Sequence, residues 1–176
     1  MVYKVIATSR SLYGLGFGDA GRTIALVSAL ALAGALAIEH IGGIAPCPLC
    51  LDQRIAYYAA VPLGLLVFAF APYRRLWSRA LLVLLAVIFV INAGLGVYHA
   101  GIEWKWWPGP DACSGVGTIA RSPQDLMRSL TQAQVVRCDE AALRIFGISL
   151  AGYSAAISAL LAALAMYASA KGRRTE

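Results

Sequence analysis

Four long apolar segments constrain this 176-residue chain more than anything else in it. They run from about Thr23 to Ile44, from Ile55 to Ala71, from Ala80 to Tyr98, and from Ile145 to Ala168. About 20 mainly apolar residues suffice for a helix to cross a bilayer. Within lipid every backbone N–H and C=O must be satisfied by the protein itself, and a single apolar run of this length does so as a helix. The pattern predicts an all-α membrane protein, a four-transmembrane-helix bundle forming a single domain over residues 1–176. The alternative, four buried core helices of a soluble protein, fits poorly with 60% hydrophobic and only 14% charged residues; soluble domains hold roughly 45–50% and 25%. Segment two is short and contains Pro62, a kink that neighbouring spans can support. Segment four is rich in Ala, Ser and Gly, which let membrane helices approach closely.

Lysine and arginine give the orientation. Lys4, Arg10 and Arg22 precede span one. Arg74, Arg75 and Arg79 lie in the "PYRRLWSR" turn, and Lys171, Arg173 and Arg174 in the tail. Positive charge in short loops marks the cytoplasmic side. Both termini and that turn are therefore expected in the cytoplasm, and the connectors around residues 45–54 and 99–144 outside. No basic patch interleaved with aromatics supports nucleic-acid binding. A cleavable signal ending near "ALAGALA" is the rival reading of span one. Its apolar run is long for a signal, and cleavage would leave the first two cysteines on a freed amino-terminal end.

All four cysteines fall in the two outward connectors: Cys47 and Cys50 in the first, Cys113 and Cys138 in the second. An oxidising compartment permits disulfides there. Four cysteines allow three connectivities, of which proximity in the chain favours Cys47–Cys50 with Cys113–Cys138. A bridge across two residues restrains almost nothing, because stabilisation grows with the loop closed; redox use is the better explanation. For Cys113–Cys138 alone, a loop staple is the ordinary reading. A metal site is not expected, since tetrathiolate sites usually draw on two close pairs and no histidine stands at ligand spacing. Cys50 lies near the start of a helix expected from about Leu51, and Arg54 sits one turn further on. Helix dipole and guanidinium would both favour its thiolate. The plainer reading of Arg54 is an interfacial arginine reaching headgroups. "SPQDLMRSL", residues 122–130, reads as a short helix, on the membrane surface or merely solvated. Trp104, Trp106 and Trp107 read as an interfacial aromatic belt.

"CPLCLDQR" and "YHAGIEWKWWPGPDAC", with a further cysteine before the last span, resemble the DsbB family of bacterial disulfide bond formation proteins from about Arg22 to Ala168. That resemblance implies an inner-membrane thiol:quinone oxidoreductase with redox-active loops in the periplasm. It would reoxidise a soluble DsbA-like, thioredoxin-fold dithiol protein and pass the electrons to ubiquinone or menaquinone. By the same resemblance the partner forms a mixed disulfide through Cys113, the released Cys138 attacks Cys47, and Cys50 faces the quinone as a thiolate steadied by Arg54. His99 falls close to the family's quinone-side histidine. A vitamin K epoxide reductase-like enzyme shares the four-helix logic, but there the active Cys-X-X-Cys lies near the last span rather than ahead of the second. A membrane scaffold with static loop bridges is the non-enzymatic alternative.

Overall fold

The computed structural model describes residues 16–110 and 138–171. Four helices carry the architecture: α1 (Phe17–His40), α2 (Pro48–Phe70), α3 (Arg75–Glu103) and α4 (Leu150–Lys171). Each is long and apolar enough to cross a membrane. They alternate in direction, with α1 packed most extensively on α2, α3 on α4, α2 against α3, and α4 closing back onto α1. Only 28% of the apolar stretch of α1, and 33% of the other three, is buried inside the protein. Leu30, Ile91 and Leu160, each about two-thirds or more exposed, face outward, as lipid-facing residues do.

The inward faces are held by small residues and a polar thread. A Cβ on Gly21 would stand 2.7 Å from the Gly64 carbonyl oxygen, and one on Gly64 would stand 2.7 Å from that of Gly21. Backbones of α1 and α2 therefore touch there. Gly96 meets Ala155 in the same way between α3 and α4. The Tyr57 hydroxyl meets Ser158 Oγ at 3.0 Å, and Asn92 donates to the same oxygen at 2.9 Å, tying α2, α3 and α4. Such interhelical hydrogen bonds supply cohesion that lipid, being as apolar as leucine, does not.

The helix ends differ from the extents of the apolar runs, each for a local reason. The first helix starts at Phe17, six residues ahead of the apolar run, with Asp19 in its first turn where the helix dipole favours a carboxylate. It stops at His40 rather than Ile44, because Gly42 and Gly43 follow and Gly43 adopts φ +67°. The second starts at Pro48, whose fixed φ suits the first helical position, so Cys50 is its third residue. The basic turn shrinks to residues 71–74, and Arg75–Arg79 become the first turns of α3. The fourth starts five residues late. Arg144–Ile145 (β1) and Ile148–Ser149 (β2) pair antiparallel, turning through Phe146 at φ +50° and Gly147 at φ +81°. Positive φ at both central residues is the tight turn that suits hairpin twist. This hairpin replaces the expected first turn of span four. Cys113 and the expected short helix at residues 122–130 lie outside the described residues.

Candidate functional site: a cysteine pair above an apolar cavity

Alternation puts the carboxyl ends of α1 and α3 and the amino ends of α2 and α4 at one end of the bundle. Cys47 is the N-cap of α2: its sulfur accepts from the Cys50 backbone N–H at 3.2 Å, filling the place a Ser or Asp commonly takes. Both thiols are free. Cys47 Sγ donates to Cys50 Sγ at 2.8 Å, so the proton of the pair rests on Cys47. The Cys50 sulfur beside it, and then burial, push the Cys47 thiol up from its ordinary range. Cys47 is 4% exposed, whereas Cys50 is half-buried and opens on the cavity below.

Cys138 is disulfide-bonded and buried. It packs with Cys47, Leu49 and Ile102, and the adjoining Asp139 accepts from Lys105 Nζ at 2.7 Å, which fastens this strand of chain to the end of α3. The sulfurs of Cys47 and Cys138 and a ring nitrogen of His99 lie within 4.8 Å of one another. Ligand-type atoms so close could suggest a metal ion. A sulfur already in a disulfide is not the thiolate that a metal needs, so the group fits sulfur exchange better.

His99 is 2% exposed. Gln53 Nε2 donates to its Nδ1 at 2.9 Å, which leaves the ring proton on Nε2. That nitrogen points at Cys47 Sγ, 3.6 Å away, and at Glu103 Oε1, 3.9 Å away. Arg54 reaches neither sulfur with a hydrogen bond among the described contacts. Its guanidinium pairs with the Glu39 carboxylate of α1 and donates to the Ala35 carbonyl at 3.5 Å. Sequence reasoning missed Glu39, Gln53 and Glu103. Their one signal was a polar residue at the outer edge of an apolar run.

Cys50, Arg54, His99 and Glu103 share a cavity of about 270 Å³. Leu30, Ala31, Gly34, Ala35 and Ile38 of α1 form one wall; Leu150, Tyr153, Ser154 and Ile157 of α4 form another. The mouth carries sulfur and charge, and the depth is hydrocarbon. The Tyr98–Trp107 stack and the edge contacts among Trp104, Trp106 and Trp107 surround this end of α3.

The pattern of the family "Disulfide bond formation protein DsbB" matches residues 20–168, which hold the free cysteine pair and the disulfide beside it. The chain belongs to that family. DsbB-type relatives include the disulfide bond formation protein B of Marinobacter nauticus, 30% identical over 91% of both chains. That of Herminiimonas arsenicoxydans is 39% identical over 46% of this chain and 49% of its own. That of Stutzerimonas stutzeri is 48% identical over 28% of this chain and 26% of its own. No solved structure matches the chain closely enough to add to this. As a DsbB-family member, the protein is a multi-pass membrane oxidoreductase of disulfide bond formation.

Proposed function

We propose that the protein reoxidises a periplasmic, thioredoxin-fold dithiol protein of the DsbA kind and delivers the two electrons to a membrane quinone. The observation that carries this reading is the line of sulfurs. Cys138, already in a disulfide, lies within 4.8 Å of Cys47, which touches Cys50 at the mouth of an apolar cavity.

In this reading Cys113 and Cys138 form the outer bridge. A thiolate of the reduced partner attacks Cys113, and the electron pair of the broken bond leaves on Cys138. Cys138, held by the Lys105–Asp139 pair, attacks Cys47 of the Cys47–Cys50 disulfide, and Cys50 leaves as the thiolate. The partner's second thiol then displaces Cys113 and departs as the disulfide, and the freed Cys113 attacks Cys138, which restores the outer bridge and releases Cys47 as a thiol beside the Cys50 thiolate. Every exchange needs an attacking thiolate and a sulfur able to leave. Cys50 suits departure: it receives the Cys47 hydrogen bond when the pair is reduced and belongs to the first turn of a helix, where negative charge is favoured. Cys47 suits attack from Cys138 because both are buried in one apolar cluster that excludes competing water.

The cavity fits a quinone headgroup: its depth is apolar, and Arg54, His99 and Glu103 offer polar partners at the mouth. A bound quinone would accept two electrons and two protons and leave as quinol. Arg54, braced by Glu39, would hold a carbonyl oxygen, and His99 would keep Cys47 oriented. The basic turn at residues 71–74 and the chain termini are assigned to the cytoplasm, and the sulfur-bearing end to the periplasm.

The test is steady-state reduction of a short-chain quinone by a reduced DsbA-like protein, using the purified full chain. Quinol should form with the wild type and fall to background in Cys50→Ser. Undiminished turnover in that variant would refute the proposal.

A further inference from the structure

Glu103 is a buried carboxyl that the sulfur relay does not use. The residue is 8% exposed, and its Oε2 has no hydrogen-bond partner among the described residues. It closes α3 and lines the same cavity as Cys50 and Arg54. His99 faces it from its own helix at 3.9 Å. From the hairpin, Ser149 and Arg144 interact with it, and Glu140 lines the cavity nearby. From α2, its charge is felt by both Cys47 and Cys50. Arg54 is already paired with Glu39 of α1.

An ionised carboxylate with an orphan oxygen in apolar surroundings is costly, and ionisable groups within membrane-spanning helices commonly belong to proton pathways. Like charges sharing one enclosed site also disfavour each other. While Cys47 and Cys50 are bridged, no sulfur carries charge, and Arg144 and Ser149 can support an ionised Glu103. Once the bridge is reduced, negative charge settles on Cys50 within the same cavity.

We infer that Glu103 is the redox-linked proton site of the pair, taking up a proton as the Cys50 thiolate forms and returning it when the disulfide re-forms. The balance is closed. A dithiol reductant gives up two electrons and two protons to the Cys47–Cys50 bond. One proton stays on Cys47, the other goes to Glu103, and Cys50 remains a thiolate. Oxidation of the pair then releases two electrons, the Cys47 proton and the Glu103 proton together, which is the stoichiometry that a two-electron, two-proton acceptor consumes. This inference rests on the proposed thiol:quinone reading for its purpose. Its chemistry concerns only the cysteine pair.

The experiment is infrared difference spectroscopy of the full chain in lipid nanodiscs, reduced by dithiothreitol with no quinone added. Quinone turnover is assayed separately, so failure of the enzymatic reading is seen there and not here. Reduction of the wild type should produce the band of a newly protonated carboxyl and release no net proton. Glu103→Gln should lack that band and release one proton per Cys47–Cys50 disulfide reduced, the outer bridge releasing none. Glu103→Asp should restore the band at a shifted position, which a merely structural role would not do. Cys50→Ser, which keeps Glu103 and the outer bridge but has no inner bridge to reduce, should lack the band too. A band that persists in Glu103→Gln or in Cys50→Ser overturns the inference, as does its absence from the wild type.

Discussion

Cys47 and Cys50 stand one helical turn apart, yet their surroundings divide the work. Cys47 caps the helix, holds the shared proton and is 4% exposed. Cys50 accepts that proton's hydrogen bond and opens on the cavity. Thiolate is the reactive form, and reactivity also needs access. In the reduced protein at neutral pH, Cys50 should therefore be alkylated by iodoacetamide at least about tenfold faster than Cys47. Because the Cys47 thiol is pushed up, its own rate should stay low through neutral pH and climb only under alkaline conditions. Peptide mass spectrometry of briefly labelled protein checks both, and equal labelling would contradict this division. Arg54 raises a second residue-scale point. Its guanidinium is anchored on Glu39, with side chains 13% and 28% exposed. A pair partly open to surroundings contributes on the order of 1 kcal/mol. Glu39→Gln should free Arg54 and raise the KM for a short-chain quinone by roughly fivefold, about 1 kcal/mol, while the dithiol partner's KM stays put.

At the scale of elements, contacts between backbones decide which helices are neighbours. The Gly21–Gly64 contact leaves no space for a methyl group. Overpacking of a well-fitted interface costs typically about 1–3 kcal/mol, so Gly64→Ala should lower thermal stability in detergent. Gly34 and Gly94 have nothing within 4 Å of an added Cβ, and Gly94→Ala should leave stability nearly unchanged. A fluorescence melt of the two variants separates the cases. The number and kind of helices were legible because twenty-odd apolar residues in a row admit few structures. The ends were not. Helix starts at Phe17 and Arg75 recruit polar and basic residues that hydropathy counts as loop. The hairpin before α4 was hidden because "RIFGIS" is apolar, and Phe-Gly lacks the Asn-Gly signature of its turn. At the site, the cysteines declared themselves by spacing and placement, and Arg54 by its nearness to Cys50. Glu39, Gln53 and Glu103 did not, because their place at the site arises from helices that pack together only in the folded bundle.

Across the whole molecule, function depends on which end faces the oxidising side. Among the described residues, strict alternation of four helices puts residues 41–47, 104–110 and 138–149 at one end, and residues 71–74 with both outer helix termini at the other. Arg74, Arg75 and Arg79 cluster at the second end, beside Trp77, which is 60% exposed. The first end carries Trp104, 54% exposed, and the buried sulfurs. Basic residues in short loops stay on the cytoplasmic side, and disulfides persist on the opposite one. The two rules rest on different chemistry and support the same proposed orientation. Single cysteines introduced into a cysteine-free variant test it directly. Trp104→Cys should react with a membrane-impermeant maleimide on intact spheroplasts. Trp77→Cys should react only after the membrane is permeabilised. The reverse pattern would place the sulfur line in the reducing cytoplasm, where the Cys138 disulfide would not persist and the relay would have no oxidising direction to run in.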